Sequence, residues 1–198
     1  MRNKHNLFGI KVIKTVKSMQ IIKHTIEGLI SIHPSIYGDE RGYFLENFNE
    51  KSFKDAIGGI NFVQDNESLS MKNVLRGLHF QKPPHAQGKL VRVIKGSVLD
   101  VVVDLRKNSK TYGQHKKIVL SELEKNIFYI PPGFAHGFCA LEDNTIFSYK
   151  CTEYYHPEAE ICLLWNDKTL GIDWEVNDPI LSKKDINGIS FNDFISPF

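Results

Sequence analysis

From residue 19 onward, turn-forming residues recur about every ten positions, and the stretches between them read as short strands. The turns are Gly38-Asp39, Lys95-Gly96, Pro131-Pro132-Gly133 and Glu142-Asp143-Asn144. A chain punctuated this often has no room for long helices. Nor does it alternate strands with helical segments, as a parallel sheet requires. Strands are expected near 21–25, 29–33, 42–48, 61–68, 75–81, 89–95, 99–105, 116–120, 127–130, 136–141, 145–151 and 161–165. The pattern predicts an antiparallel all-β sandwich or barrel.

One strand shows its two faces clearly. Leu99, Val101, Val103 and Leu105 alternate with Asp100, Val102, Asp104 and Arg106. Side chains alternate across a strand, so one face is expected in a core and the other against water or a wet cavity. Helix signals are few and short. Asn49 can cap a helix over 50–57 that Gly58 ends, and Ser182 precedes one charged turn, Lys183-Lys184-Asp185. No GxGxxG or GxxxxGK[ST] occurs, so a nucleotide must be held by side chains.

Length suits one domain, expected over 19–198. The net charge of +2 is too small for a nucleic-acid binder. It is also uneven. Residues 1–18 carry Arg2, Lys4, Lys11, Lys14 and Lys17 and no acid; subtracting these five from 25 basic residues leaves 20 against 23 acids, about −3 for the body. This basic stretch reads as a disordered extension or the product of an upstream start codon, with the fold beginning near Met19, or as an arm packing on a partner subunit. Lys11 interrupts its apolar run, so neither a signal peptide nor a membrane span is expected. Cys139, Cys151 and Cys162 show no CxxC spacing and suggest free thiols in a cytoplasmic protein.

The chemistry concentrates in VLRGLHFQKPPHAQGKLVRV, residues 74–93. His79 can take and return a proton near neutral pH. Lys89 follows the turn-forming KPPHAQG, and a hairpin there would return it beside His79, where an ammonium can balance a developing oxyanion. Arg76 offers a planar fork suited to phosphate. Arg76 and His79 are three apart and share a pocket only if the strand bulges, with Gly77 the expected site. The later PPGFAHGF adds His136. That segment fits the PxGxxH half of the metal-binding cupin pattern. The other half should carry His-x-His and a glutamate, but reads His79-Phe80-Gln81 with no acid before Lys89. No metal is expected at so thin a ligand set.

The segments GDERGYFLE (38–46), FVQDN (62–66), VLRGLHFQ (74–81), AQGKLVRV (86–93), DVVVDLRKNSKTYGQ (100–114), PPGFAHGF (131–138), YKCTEYY (149–155), LLWND (163–167) and LSKKD (181–185) resemble, in this order, the dTDP-4-dehydrorhamnose 3,5-epimerase family. The resemblance runs from about Met19 to Asp185. It implies an all-β, cupin-like jelly roll (a double-stranded β-helix) with a few short peripheral helices, a homodimer, and no cofactor. It implies epimerisation of dTDP-4-dehydro-6-deoxy-D-glucose at carbons 3 and 5 to dTDP-4-dehydro-L-rhamnose. A single-centre epimerase on a related 4-keto sugar is the near alternative, and a metal-dependent cupin oxygenase the remote one. The resemblance makes His79 the base, Asp185 its partner, Lys89 the enolate stabiliser and Tyr149 the proton donor. It carries substrate contacts over to Arg41, Glu46, Gln64, Asn66, Arg76, His136, Glu160 and Lys184, with Arg41 and Glu46 expected to reach the neighbouring subunit's site.

Overall fold

The computed structural model describes residues 18–198. The basic stretch read over 1–18 lies outside them except for Ser18. The thirteen strands are β1 (Gln20–Lys23), β2 (Ile30–His33), β3 (Ile36–Asp39), β4 (Gly42–Leu45), β5 (Gln64–Ser70), β6 (Leu75–Gln81), β7 (Lys89–Lys95), β8 (Ser97–Asp104), β9 (His115–Ser121), β10 (Ile127–Ile130), β11 (Phe134–Ala140), β12 (Thr145–Cys151) and β13 (Glu160–Cys162). Two short helices, α1 (Glu50–Ile57) and α2 (Lys183–Ile186), are peripheral. One sheet runs β1-β2-β10-β7-β12-β5, and the facing sheet runs β13-β6-β11-β8-β9. From β5 to β8, and again from β10 to β13, consecutive strands fall in alternate sheets. That winding is the double-stranded β-helix of a cupin-like jelly roll. β3 and β4 form a separate two-stranded arm.

Three apolar layers explain the architecture. Val91, Val93, Phe128 and Phe147 of one sheet meet Val98, Val102, Leu120, Phe134 and Phe138 of the other. Outside the five-stranded sheet, Leu99, Val101, Val103 and Leu105 are covered by Leu163, Leu170, Trp174 and Phe194 of the C-terminal segment. Outside the six-stranded sheet, Ile30, Ile32, Leu90 and Tyr129 pack with Phe53 of α1. Burying one such side chain contributes about 1.5–3 kcal/mol. Helix α1 begins where Asn49 accepts bonds from the Lys51 and Ser52 amides and stops at Gly58, as its sequence predicts; losing such a cap costs about 1 kcal/mol.

Four features differ from the sequence reading. β8 is covered on both sides, and Asp100 and Asp104 are fully buried rather than wet. Asp100 meets His136. Asp104 accepts bonds from Arg106, Ser109 and Thr111. Second, β6 and β7 are not a hairpin: they lie in different sheets, and 82–88 is the crossing between them. Proline-rich KPPHAQG breaks the ladder without turning it back on itself. Third, β3 is an extra strand, paired Asp39 to Gly42, so the turn falls at Glu40-Arg41, not at Gly38-Asp39. Fourth, β13 ends at Cys162, short of the expected 165.

Candidate active site

A cavity of about 430 Å³ opens between the two sheets, a size suited to a small organic ligand. Alternation along the strands selects its lining. Gln64, Asn66 and Ser68 of β5, and Phe147 and Tyr149 of β12, are spaced by two and share a face. With Lys89 they form the six-stranded wall. Arg76 and His79 of β6, His136 and Phe138 of β11 and Glu160 of β13 form the other. Tyr155, Ser182, Lys184 and Asp185 complete the lining. The Phe138 and Phe147 rings, one from each sheet, stack at 4.2 Å and give an apolar patch.

Arg76 and His79 share the cavity because β6 bulges. His79 pairs with His136 and Arg76 with Phe138, so a step of three on β6 faces a step of two on β11. Gly77 makes this possible. Its φ is +151°, and a Cβ there would lie 2.6 Å from Gly137 Cα. The expectation of a bulge at Gly77 is met.

His79 Nε2 lies 2.7 Å from Asp185 Oδ1, although its N–H is not aimed in line at that oxygen. Asp185 also accepts bonds from the Gly77 amide at 3.3 Å and the Ser182 hydroxyl at 2.6 Å. Burial alone would raise this carboxyl; the contacts to His79, Ser182 and Gly77 outweigh it and hold Asp185 at about 2. It is therefore a fixed anion. With Nε2 turned to Asp185, Nδ1 is the nitrogen left to accept a proton. Cys162 approaches the same pair, its three ligand atoms lying within 4.8 Å of one another. An ion bonded at ~2.0–2.2 Å in tetrahedral geometry would hold the nitrogen and oxygen more than ~3 Å apart. The observed 2.7 Å is closer than such an ion would allow.

Across the cavity, burial pushes the Tyr149 phenol above its ordinary value, keeping it protonated. Burial lowers the Lys89 ammonium, with Cys151, Glu160 and Asp100 pulling partly back. Among the described residues no carboxylate forms an ion pair with Lys89 or Arg76, which leaves both for a ligand. Arg76 is steadied by the Ser70 hydroxyl at 3.2 Å and the Leu69 carbonyl at 3.3 Å. At the mouth, Glu160 bridges Lys184 at 2.9 Å and the Tyr155 hydroxyl at 2.8 Å. Burial would raise Glu160, but these two bonds prevail and lower it. His136 is lowered by burial, with Asp100 at 2.7 Å pulling back, so it is neutral at pH 7.

Of the twelve residues singled out in the sequence, ten line this cavity. Arg41 and Glu46 do not. Arg41 sits at the tip of the β3–β4 arm, paired with Asp39. Glu46 accepts a bond from Asn49 at 3.1 Å. Sequence reasoning did not single out Ser68, Phe138, Phe147, Tyr155 or Ser182. Two-residue spacing from Asn66, His136 and Tyr149 would have flagged the first three.

A His–Asp pair on one wall, a protonated phenol on the other and two cations with no carboxylate ion pair among the described residues define an acid–base isomerase on a cupin-like jelly roll. The family model for dTDP-4-dehydrorhamnose 3,5-epimerase matches residues 23–193, and the chain belongs to that family. The dTDP-4-dehydrorhamnose 3,5-epimerase of Methanothermobacter thermautotrophicus is 54% identical over 85% of this chain and 92% of its own length. The solved dTDP-6-deoxy-D-glucose-3,5-epimerase of Legionella pneumophila, in complex with dTDP-4-keto-L-rhamnose, is 48% identical with a TM-score of 0.85, covering 88% of this chain and 93% of that one. ChmJ, a 3'-monoepimerase from Streptomyces bikiniensis solved with dTDP-quinovose, is 32% identical with a TM-score of 0.81, covering 86% and 87%.

Proposed function

We propose that this chain epimerises dTDP-4-dehydro-6-deoxy-D-glucose at carbons 3 and 5, with His79 as base and Tyr149 as acid. The observation that carries this reading is their origin on opposite sheets, so a sugar between them presents one face to each. The 4-keto group acidifies the neighbouring C–H bonds. His79 Nδ1 takes the proton, and the electron pair moves onto the ketone oxygen as an enolate. Lys89 neutralises that oxygen. Asp185 stabilises the imidazolium and fixes its tautomer. Tyr149 then protonates the carbon from the other face, and the centre inverts. Solvent returns a proton to the phenolate and removes one from His79. Arg76, Lys184, Gln64, Asn66, His136 and Glu160 hold the rest of the ligand, the cations facing its diphosphate. Neither step requires a cofactor or metal, and prolonged EDTA treatment leaves the rate unchanged. A rate lost to chelation and restored by one divalent ion contradicts this.

The reading includes a cytoplasmic homodimer. All three cysteines are free, as a reducing compartment keeps them, and no helix among the described residues is long and apolar enough to cross a membrane. The β3–β4 arm exposes Tyr37 and Phe44, the latter at 68%, and β5 is an edge strand beside the cavity, paired on one side only among the described residues. Both features suit a second copy, to whose site Arg41 and Glu46 would then belong. Proton NMR of the product formed in D₂O tests the reaction. Deuterium and inverted couplings at both carbons are expected; change at one carbon alone would make this a single-centre epimerase.

A further inference from the structure

Beside the cavity mouth, two loops carry a second constellation that the reaction does not use. His85 lies in the crossing between β6 and β7, and His156 and Glu158 lie just before β13. The two imidazole rings stack at 3.6 Å between centroids, 24° from parallel. His156 Nδ1 lies 3.2 Å from a Glu158 oxygen. One ring nitrogen from each histidine and one Glu158 oxygen lie within 4.8 Å of one another. We propose that His85, His156 and Glu158 form a peripheral site for one divalent transition-metal ion of the Zn²⁺ class.

The argument rests on how the loops are fixed. Gln81 is 3% exposed and is fully occupied in tying them together. Its amide nitrogen donates to the His85 carbonyl at 2.7 Å and the Tyr154 carbonyl at 3.0 Å, and its oxygen accepts from the His156 amide at 2.7 Å. The Lys82 amide adds a bond to the Ala159 carbonyl at 2.9 Å. Both histidine backbones are therefore anchored to one buried side chain, and binding an ion would require the two rings to turn out of their stack so that one nitrogen of each faces it. Two imidazoles and a carboxylate form a donor set preferred by Zn²⁺ and poorly suited to Mg²⁺ or Ca²⁺, and water would complete the tetrahedron. The partial exposure of the rings gives the ion a way in. A bound ion would staple the crossing that leads into Lys89 to the loop that carries Tyr155, stiffening the mouth without touching a reacting atom.

Calorimetric titration of Zn²⁺ into the full chain tests this. A Cys162→Ser background removes the thiol beside His79 as a competing ligand. In that background the unsubstituted site binds one more Zn²⁺ per chain than His85→Gln or His156→Gln does, or binds it at least about tenfold more tightly. Saturating Zn²⁺ also raises Tm in the background protein, and either substitution removes that shift. Circular dichroism and retained epimerase activity establish that the variants are folded. Equal stoichiometry and equal affinity across the three proteins would overturn the proposal.

Discussion

At the cavity each titratable side chain is set by what touches it. Lys89 has no carboxylate ion pair among the described residues, so its charge is directed at the ligand. Replacing it with alanine should cost about 10²–10³ in kcat, with exchange and inversion falling together, because enolate formation itself is impaired. Unequal loss would give Lys89 some other role. Asp185 is held at about 2, so it stays ionised well below neutrality and protonation of Asp185 does not set the acid limb of the rate profile. Asp185→Asn should therefore depress kcat at every pH from 5 to 9, by about 10² or more. Loss confined to acidic pH would contradict the pairing. His79, Lys89 and Arg76 were legible in the sequence as chemical types at suggestive spacing. Tyr149 and Asp185 were not. A tyrosine on a strand and an aspartate after Ser182 look like core and cap, and Asp185 does close the capping box of α2. Only the resemblance distinguished them.

Among the elements, β6 matters most, because its bulge turns Arg76 and His79 to one side. Gly137 shares the close approach: a Cβ there would meet the Arg76 carbonyl oxygen at 2.8 Å and Gly77 Cα at 2.9 Å. Gly137→Ala should force β6 and β11 apart, costing about 1–3 kcal/mol of stability and more than tenfold in kcat/KM. Urea unfolding and steady-state kinetics measure both, and a fully active, equally stable variant would show that the bulge tolerates a side chain. The bulge was legible because strand alternation alone could not unite Arg76 with His79. The crossing at 82–88 was not. Its turn residues suit a hairpin, and only the facing sheet's demand for β7 between β10 and β12 decides otherwise. The β3–β4 arm yields a separate test. Mixing Arg41→Ala with His79→Ala subunits should restore activity in hybrid dimers, where one site regains both residues. No restoration after confirmed subunit exchange would argue that each site is built from one chain.

For the whole molecule, acid stability should follow two depressed carboxylates. Asp104, which would be raised by burial, is held at about 2 by Arg106, Ser109 and Thr111, and Asp185 sits at a similar value. A carboxyl lowered by folding stabilises fully above its ordinary value near ~4 and loses that contribution as pH falls toward ~2. Urea midpoints should drop between about pH 4 and 2, and Asp104→Asn should already be destabilised by about 3 kcal/mol at pH 7. A variant as stable as the parent protein would rule this out. The all-β class was legible in turn spacing, whereas the burial of both faces of β8 was not. That depends on the C-terminal segment folding back over Leu99, Val101 and Val103, which local alternation cannot reveal. The opposed sheets carry the central claim that base and acid act from opposite faces of the sugar. Proton NMR of Tyr149→Phe turning over substrate in D₂O tests it most directly. His79 and Lys89 remain, so deuterium should still enter at the carbons beside the ketone, while inversion is strongly suppressed. Normal inversion by Tyr149→Phe, or rapid exchange by His79→Asn in the same assay, would contradict it.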